Sequence, residues 1–136
     1  MLLAVDQDED RAKNAAQAVS ELPGDVEAVI LNVFEEFDAS DGDGRVTSSE
    51  LYDDEDHPDS VIAAEQILAD AGVTTTKRRE HGDPTEVILA VAEELDVDSI
   101  ALSAEKRSPV GKAVFGSVTQ SVLLSSDRPV IVATTN

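Results

Sequence analysis

Lys106, Arg107 and Lys112 stand just ahead of Gly116-Ser117, and that grouping has the chemistry of an anion site. Three of the ten basic residues lie in this stretch of an otherwise acidic chain. The pattern SVTQSVLLSS that opens at Ser117 is helical, and the first N–H groups of a helix have no partner inside it. The helix dipole favours negative charge at the same end, so a phosphate is a natural occupant. Gly116 lets such a group approach the backbone, and Ser117 adds a hydroxyl. Upstream, Ile100-Ala101-Leu102 reads as a buried strand, so Ile100 to Val118 is a strand that empties through a basic loop onto a helix N-terminus. A Walker-type P-loop does not fit. Gly111-Lys112 is followed by Ala113, where Ser or Thr would hold the metal, and Lys106 occupies the place of the opening glycine. The competing reading is an ordinary strand-to-helix connection carrying surface lysines.

Other candidate chemistry is weaker. Ala39 to Glu50 (ASDGDGRVTSSE) is close to a calcium-binding EF-hand loop, with Asp41, Asp43, Gly44 and Glu50 at loop positions 3, 5, 6 and 12. Position 1 falls on Ala39, a strand precedes the loop and no strong helix follows it, so no metal site is assigned and chance resemblance is the preferred reading. His57 sits among acids and reads as solvated; His81, before Gly82, reads as a turn residue rather than a base. No G-x-S-x-G elbow occurs, and no cluster has metal-ligand spacing. No catalytic residue is assigned; an enzyme such as a slow ATPase would lack a positioned base.

The Ile100–Val118 stretch resembles the C-terminal signature of the universal stress protein family, G-x2-G-x9-G-[ST]. Aligned on its end, Gly116 and Ser117 match, and the two earlier glycine positions carry Ser103 and Lys106. The resemblance spans nearly the whole chain. It implies a Rossmann-like, adenine nucleotide alpha hydrolase-like fold with strand order 3-2-1-4-5. It also implies bound ATP or AMP, with magnesium on the phosphates. Ala4-Val5-Asp6 then match the segment at the base and ribose, and Val33 the position whose backbone meets adenine. Leu102, Val118 and Thr119 match positions beside the phosphate loop, and Ser103, Lys106, Gly116 and Ser117 the phosphate loop itself. From the residues alone, Asp6 reads equally as a helix cap or turn residue. Because two glycines of the signature are replaced, a second expectation is a family member without nucleotide, acting as a dimeric protein-interaction module.

Composition narrows the classes. The 136 residues suffice for one domain with a real core, read as residues 1–136 with an acidic loop insertion at 34–60. Ten basic against 29 acidic residues give a net charge of −19. That surface repels nucleic acid. It suits concentrated salt, where self-repulsion is screened, and a halophilic archaeon is the expected source; an acidic partner-binding surface is the alternative. Residues 34–60 hold eleven acids against Arg45, a net of −10, and read as a solvated, partly mobile loop. There is no cysteine and no apolar run of membrane-spanning length, and no signal peptide precedes the first strand, so a cytoplasmic, soluble protein is expected.

The elements that must position these residues follow from apolar patterning. Leu2 to Val5 and Val26 to Val33 are near-continuous apolar runs, as in parallel strands covered on both faces. Helical patterns cover 8–22, ending at Pro23-Gly24, and Val61 to Ala71, capped by Asp59 or Ser60 and stopped by Gly72. Val73 to Glu80 is a charged edge strand. Asp83-Pro84-Thr85-Glu86 is a strong helix start, with Asp83 as cap. Ser99 to Leu102 and Pro129 to Ala133 are the fourth and fifth strands. Strictly alternating strands and helices predict a parallel five-stranded α/β sheet with helices on both faces. The last strand is apolar and, on the family order, lies at an edge, so pairing with a second copy through Pro129 to Ala133 is expected, as in family dimers. Cover by the preceding loop is the alternative.

Overall fold

Both side-chain faces of the first strand are apolar, and both are buried. In the computed structural model, β1 (Leu2–Val5) lies at the centre of a five-stranded sheet. Residues 1–34, 57–103, 106–107, 113–114 and 116–133 are described, the pairs 106–107 and 113–114 as backbone only. The acidic run at 35–56 and the EF-hand-like stretch therefore lie outside the described residues.

The elements run β1, α1 (Glu9–Ser20), β2 (Glu27–Phe34), α2 (Asp59–Asp70), β3 (Thr74–His81), α3 (Pro84–Leu95), β4 (Ile100–Ser103), β5 (Lys106–Arg107), β6 (Ala113–Val114), α4 (Ser117–Ser125) and β7 (Val130–Ala133). The main sheet has the order β3-β2-β1-β4-β7, and every neighbouring pair in it is parallel. Counting only its own strands, that is the expected 3-2-1-4-5. The basic loop holds an addition that the sequence reading missed: β5 and β6 pair antiparallel, Lys106 opposite Val114 and Arg107 opposite Ala113.

Alternation along the strands divides the core in two. Leu3, Val5, Ile30 and Ala101 face α1 and α2, where Ala12, Ala15, Ala16, Val61, Ala64 and Leu68 pack on them. Leu2, Ala4, Leu31, Ile100 and Leu102 face Ile88, Val91 and Ala92 of α3 and Val122 of α4. Leu2, Leu3, Ile30, Leu31 and Ile100 are wholly buried, each worth roughly 1.5–3 kcal/mol of transfer free energy. Exposed ion pairs contribute about 0–1 kcal/mol apiece, so the two apolar layers rather than the surface charges hold the sheet.

Helix starts follow the sequence with two corrections: α1 begins at Glu9 with Asp8, not Asp6, as its cap, and the cap of α2 also differs. Asp8 caps α1 by accepting from the Arg11 N–H at 2.9 Å, and Asp83 caps α3 by accepting from the Glu86 N–H at 3.0 Å. At α2 neither Asp59 nor Ser60 is the cap. Pro58 holds that position without a side-chain bond, because Ser60, already inside the first turn, is turned inward to a tertiary partner. The charged edge strand is braced rather than bare: Lys77 pairs with Glu65 at 3.4 Å, and Arg78 with Glu80 and Glu94 at 2.8 and 3.0 Å. The Arg79 guanidinium lies 4.6 Å from the Phe34 ring centroid. His81 is the last residue of β3, its ring 5.6 Å from Phe34, and not a turn residue; His57 is half-buried rather than solvated. No helix among the described residues is long and apolar enough to cross a membrane.

Candidate functional site

The direction in which successive strands are added reverses between β1 and β4, which lie side by side with their carboxyl ends together. In open parallel sheets that reversal leaves a crevice beyond the strand ends. Two cavities lie there. One, of about 130 Å³, is mostly apolar: Ala4, Leu31, Val33, Ile88 and Leu102 line it, with Pro84 at the start of α3. The other, of about 170 Å³, is lined by Gly116 and Ser117 at the start of α4. Asp6, Arg11, Ser103, Val118 and Thr119 line both cavities, so the two adjoin.

The α4 end is built as the sequence suggests. Gly116 is the N-cap and makes no side-chain cap bond, and the first helical bond runs from the Gln120 N–H to the Gly116 carbonyl at 3.0 Å. The N–H groups of Ser117, Val118 and Thr119 thus have no partner within the helix. Thr119 donates its hydroxyl to the Ser103 carbonyl at 3.3 Å, tying the first turn of α4 to the end of β4. The cavity opens where these amides and the positive end of the helix dipole are found.

Asp6 directly follows β1. Its Oδ1 accepts from the Asp8 N–H at 2.9 Å, a local turn, while Oδ2 accepts from Nη2 of Arg11 in an ion pair. Asp6 is therefore both a turn residue and a wall of the cleft. Two buried side chains fix the backbone on either side of that carboxylate. Asn32 donates from Nδ2 to the Val5 carbonyl at 3.1 Å, and Ser60 donates to the Asp6 carbonyl at 2.6 Å. These carbonyls come where β1 leaves the sheet, so side chains take over from the strand ladder.

Of the residues singled out from sequence, Ala4, Val5, Asp6, Val33, Leu102, Ser103, Gly116, Ser117, Val118 and Thr119 all line one or both cavities. The side chains of Lys106, Arg107 and Lys112 lie outside the described residues. Sequence reasoning missed Arg11, Asn32 and Ser60, together with the apolar wall of Leu31, Ile88 and Pro84. Asn32 had left a signal, a single amide in the apolar run VILNVF. Arg11 left none, because a basic residue in the first turns of an acidic helix reads as surface. Among the described residues no group of His, Asp and Glu could hold a metal ion.

An apolar slot that runs on to a helix N-terminus at the β1/β4 switch point is the arrangement of an open, doubly wound α/β fold. The model of the universal stress protein family matches residues 1–134, and the chain belongs to that family. It is 34% identical over 85 residues to a universal stress protein of Mycolicibacterium smegmatis, a match covering 62% of this chain and 58% of that relative's length. A universal stress protein structure from Archaeoglobus fulgidus superposes with a TM-score of 0.71 at 27% identity, covering 97% of this chain and 96% of that one. The A. fulgidus universal stress protein in complex with dAMP gives 0.65 at 23% identity, covering 97% and 94%. A universal stress protein in complex with cAMP gives 0.67 at 15% identity, covering 100% and 98%. The shared architecture is the adenine nucleotide alpha hydrolase-like fold.

Proposed function

We propose that the adjoining cavities hold an adenine nucleotide, ATP or AMP, and that the protein is a homodimeric, ligand-responsive interaction module of the stress response rather than an enzyme. The observation that carries this is the junction itself: an apolar slot and a helix N-terminus meet at Asp6, Arg11 and Ser103. A flat base fits between Val33, Leu31 and Ile88, and the ribose falls at Asp6. Phosphates then reach Gly116 and Ser117. The dAMP and cAMP complexes of structural neighbours support the choice of ligand. Asp6 is the one carboxylate that lines the cavities among the described residues, so a magnesium ion would ride on the phosphates rather than on a protein cage.

Release of ATP or AMP from the denatured protein, and saturable binding by the refilled protein, tests the reading. No nucleotide released, and none bound at about millimolar concentration with magnesium, that is, binding weaker than roughly −4 kcal/mol, would overturn it. A second reading then stands, a nucleotide-free module that acts through protein contacts; Ser103 and Lys106 in the first two glycine positions favour it, because side chains there limit backbone approach to a polyphosphate. In either case we propose a cytoplasmic protein, and the −19 net charge supports a salt-loving source organism.

A further inference from the structure

Arg11 is the one cation that lines either cavity among the described residues, and it lines both. Its place is set from several sides. The backbone N–H donates to Asp8 Oδ1, Nη2 pairs with Asp6 Oδ2, and Nη1 lies 3.7 Å from Asp8 Oδ2. Only a quarter of the side chain is exposed, so the guanidinium is held at the cleft rather than waving in solvent. A guanidinium is a planar fork of five donors and can serve a carboxylate and a second anion together.

Its position selects the anion. Arg11 belongs to the overlap of the two cavities, with Asp6 and Ser103, and not to the far end at Gly116 and Ser117 alone. In a ligand whose base fills the apolar slot, the group at that overlap is the sugar and the phosphate attached to it. Of the two glycines that the signature places ahead of Gly116, one is Ser103, in the overlap itself, and the other Lys106, so the close backbone approach that would cradle further phosphates is lost. We propose that Arg11 grips the phosphate next to the sugar, making this cleft a site for nucleoside monophosphates, in which the terminal phosphates of a triphosphate add little. The inference rests on the nucleotide reading above and deepens it.

Calorimetric titration of the full chain with adenosine, AMP and ATP, the last with and without magnesium, tests it. The parent protein binds AMP at least about tenfold more tightly than adenosine, the scale of one charge-assisted contact, and ATP within about threefold of AMP. Arg11→Gln narrows the AMP-to-adenosine preference to below about threefold, chiefly by weakening AMP, and Arg11→Lys keeps part of it, since a point charge replaces the fork. A preference left intact in Arg11→Gln, or ATP more than about tenfold tighter than AMP in the parent, overturns the role of Arg11 and leaves the nucleotide reading standing. A parent that binds none of the three overturns both. If Arg11→Gln does not fold, Arg11→Lys decides: an AMP-to-adenosine preference equal to the parent's overturns the role of the guanidinium fork.

Discussion

Ser60 donates its hydroxyl to the carbonyl of Asp6 at 2.6 Å, joining residues 54 apart in the chain. Asn32 does the same for the preceding carbonyl, that of Val5. Both donors are essentially fully buried. Each substitution that removes the donor and leaves the carbonyl unmet should cost about 1–3 kcal/mol. Ser60→Ala and Asn32→Leu are thus expected to lower the denaturant midpoint without changing the slope, and to weaken AMP binding through the loss of a fixed Asp6. Unfolding curves and titrations on the same preparations check this. Unchanged midpoints would mean that water replaces both donors.

Ser117→Glu separates stability from binding. A carboxylate in the first turn of α4 meets the positive end of the helix dipole, so stability should hold or rise by about 0.3–1 kcal/mol. The same charge repels a phosphate from the Gly116–Ser117 end of the cleft, so AMP and ATP affinity should fall by at least about tenfold, each tenfold being 1.4 kcal/mol. Thermal melts and nucleotide titration read the two effects independently. Nucleotide affinity equal to that of the parent would move the phosphates away from α4.

The Arg78–Glu94 pair supplies a pH signature. Glu94 accepts from Nη1 and Nη2 of Arg78 at 3.1 and 3.0 Å. That hydrogen bonding, then the charge of Arg78, holds the Glu94 carboxyl below the usual glutamate range. The same bond to Glu94, followed by that to Glu80, raises Arg78. A carboxyl with a depressed folded pKa stabilises the fold above its unfolded pKa, and that contribution disappears as pH falls through the folded value. Glu94→Gln should therefore be slightly less stable than the parent at neutral pH, with the difference closing in acid. The pair is exposed, so the effect is small. Denaturant midpoints followed from about pH 7 down to about pH 3 check it. A difference that widens in acid would contradict the assignment.

With a net charge of −19, the folded chain repels itself in dilute buffer. The Debye length falls from about 10 Å at 0.1 M to about 3 Å at 1 M salt. The unfolding temperature should therefore climb steadily between those concentrations of potassium chloride. A flat response would remove the physical basis for a salt-loving origin.

Val130, Ile131 and Val132 are half-buried on β7, an edge of the sheet. An apolar edge with free ladder groups favours a second copy. The parent should sediment as a dimer. Val132→Lys should shift it to monomer, because Val132 belongs to neither apolar core layer while Val130 and Ile131 pack on them. A parent that stays monomeric across the micromolar range would mean the edge is tolerated or covered within one chain.

The strand and helix ends that line the cleft were legible because they are local: Leu2 to Val5 and Ile100 to Leu102 are apolar runs, and Gly116-Ser117 opens a helix. That Ala4 to Asp6, Leu102, Val118 and Thr119 belong to one site came only from the family resemblance. The cap at Asp83 was equally local. The error at α2 has the opposite cause. Ser60 has the chemistry of a cap, and the Asp6 carbonyl, just past the carboxyl end of β1, claimed its hydroxyl instead.

Patterning of apolar residues thus determined the elements and their parallel pairing, and Gly116-Ser117 the start of α4, since burial and capping act over a few residues. Tertiary structure alone decided that Arg11 faces the cleft, that Asn32 and Ser60 clamp the end of β1, and that a short hairpin interrupts the basic loop. Strand order reached the sequence reading only through the family resemblance: β1 lies beside β4 only once the sheet is assembled, and no short-range signal encodes which strand ends will become neighbours.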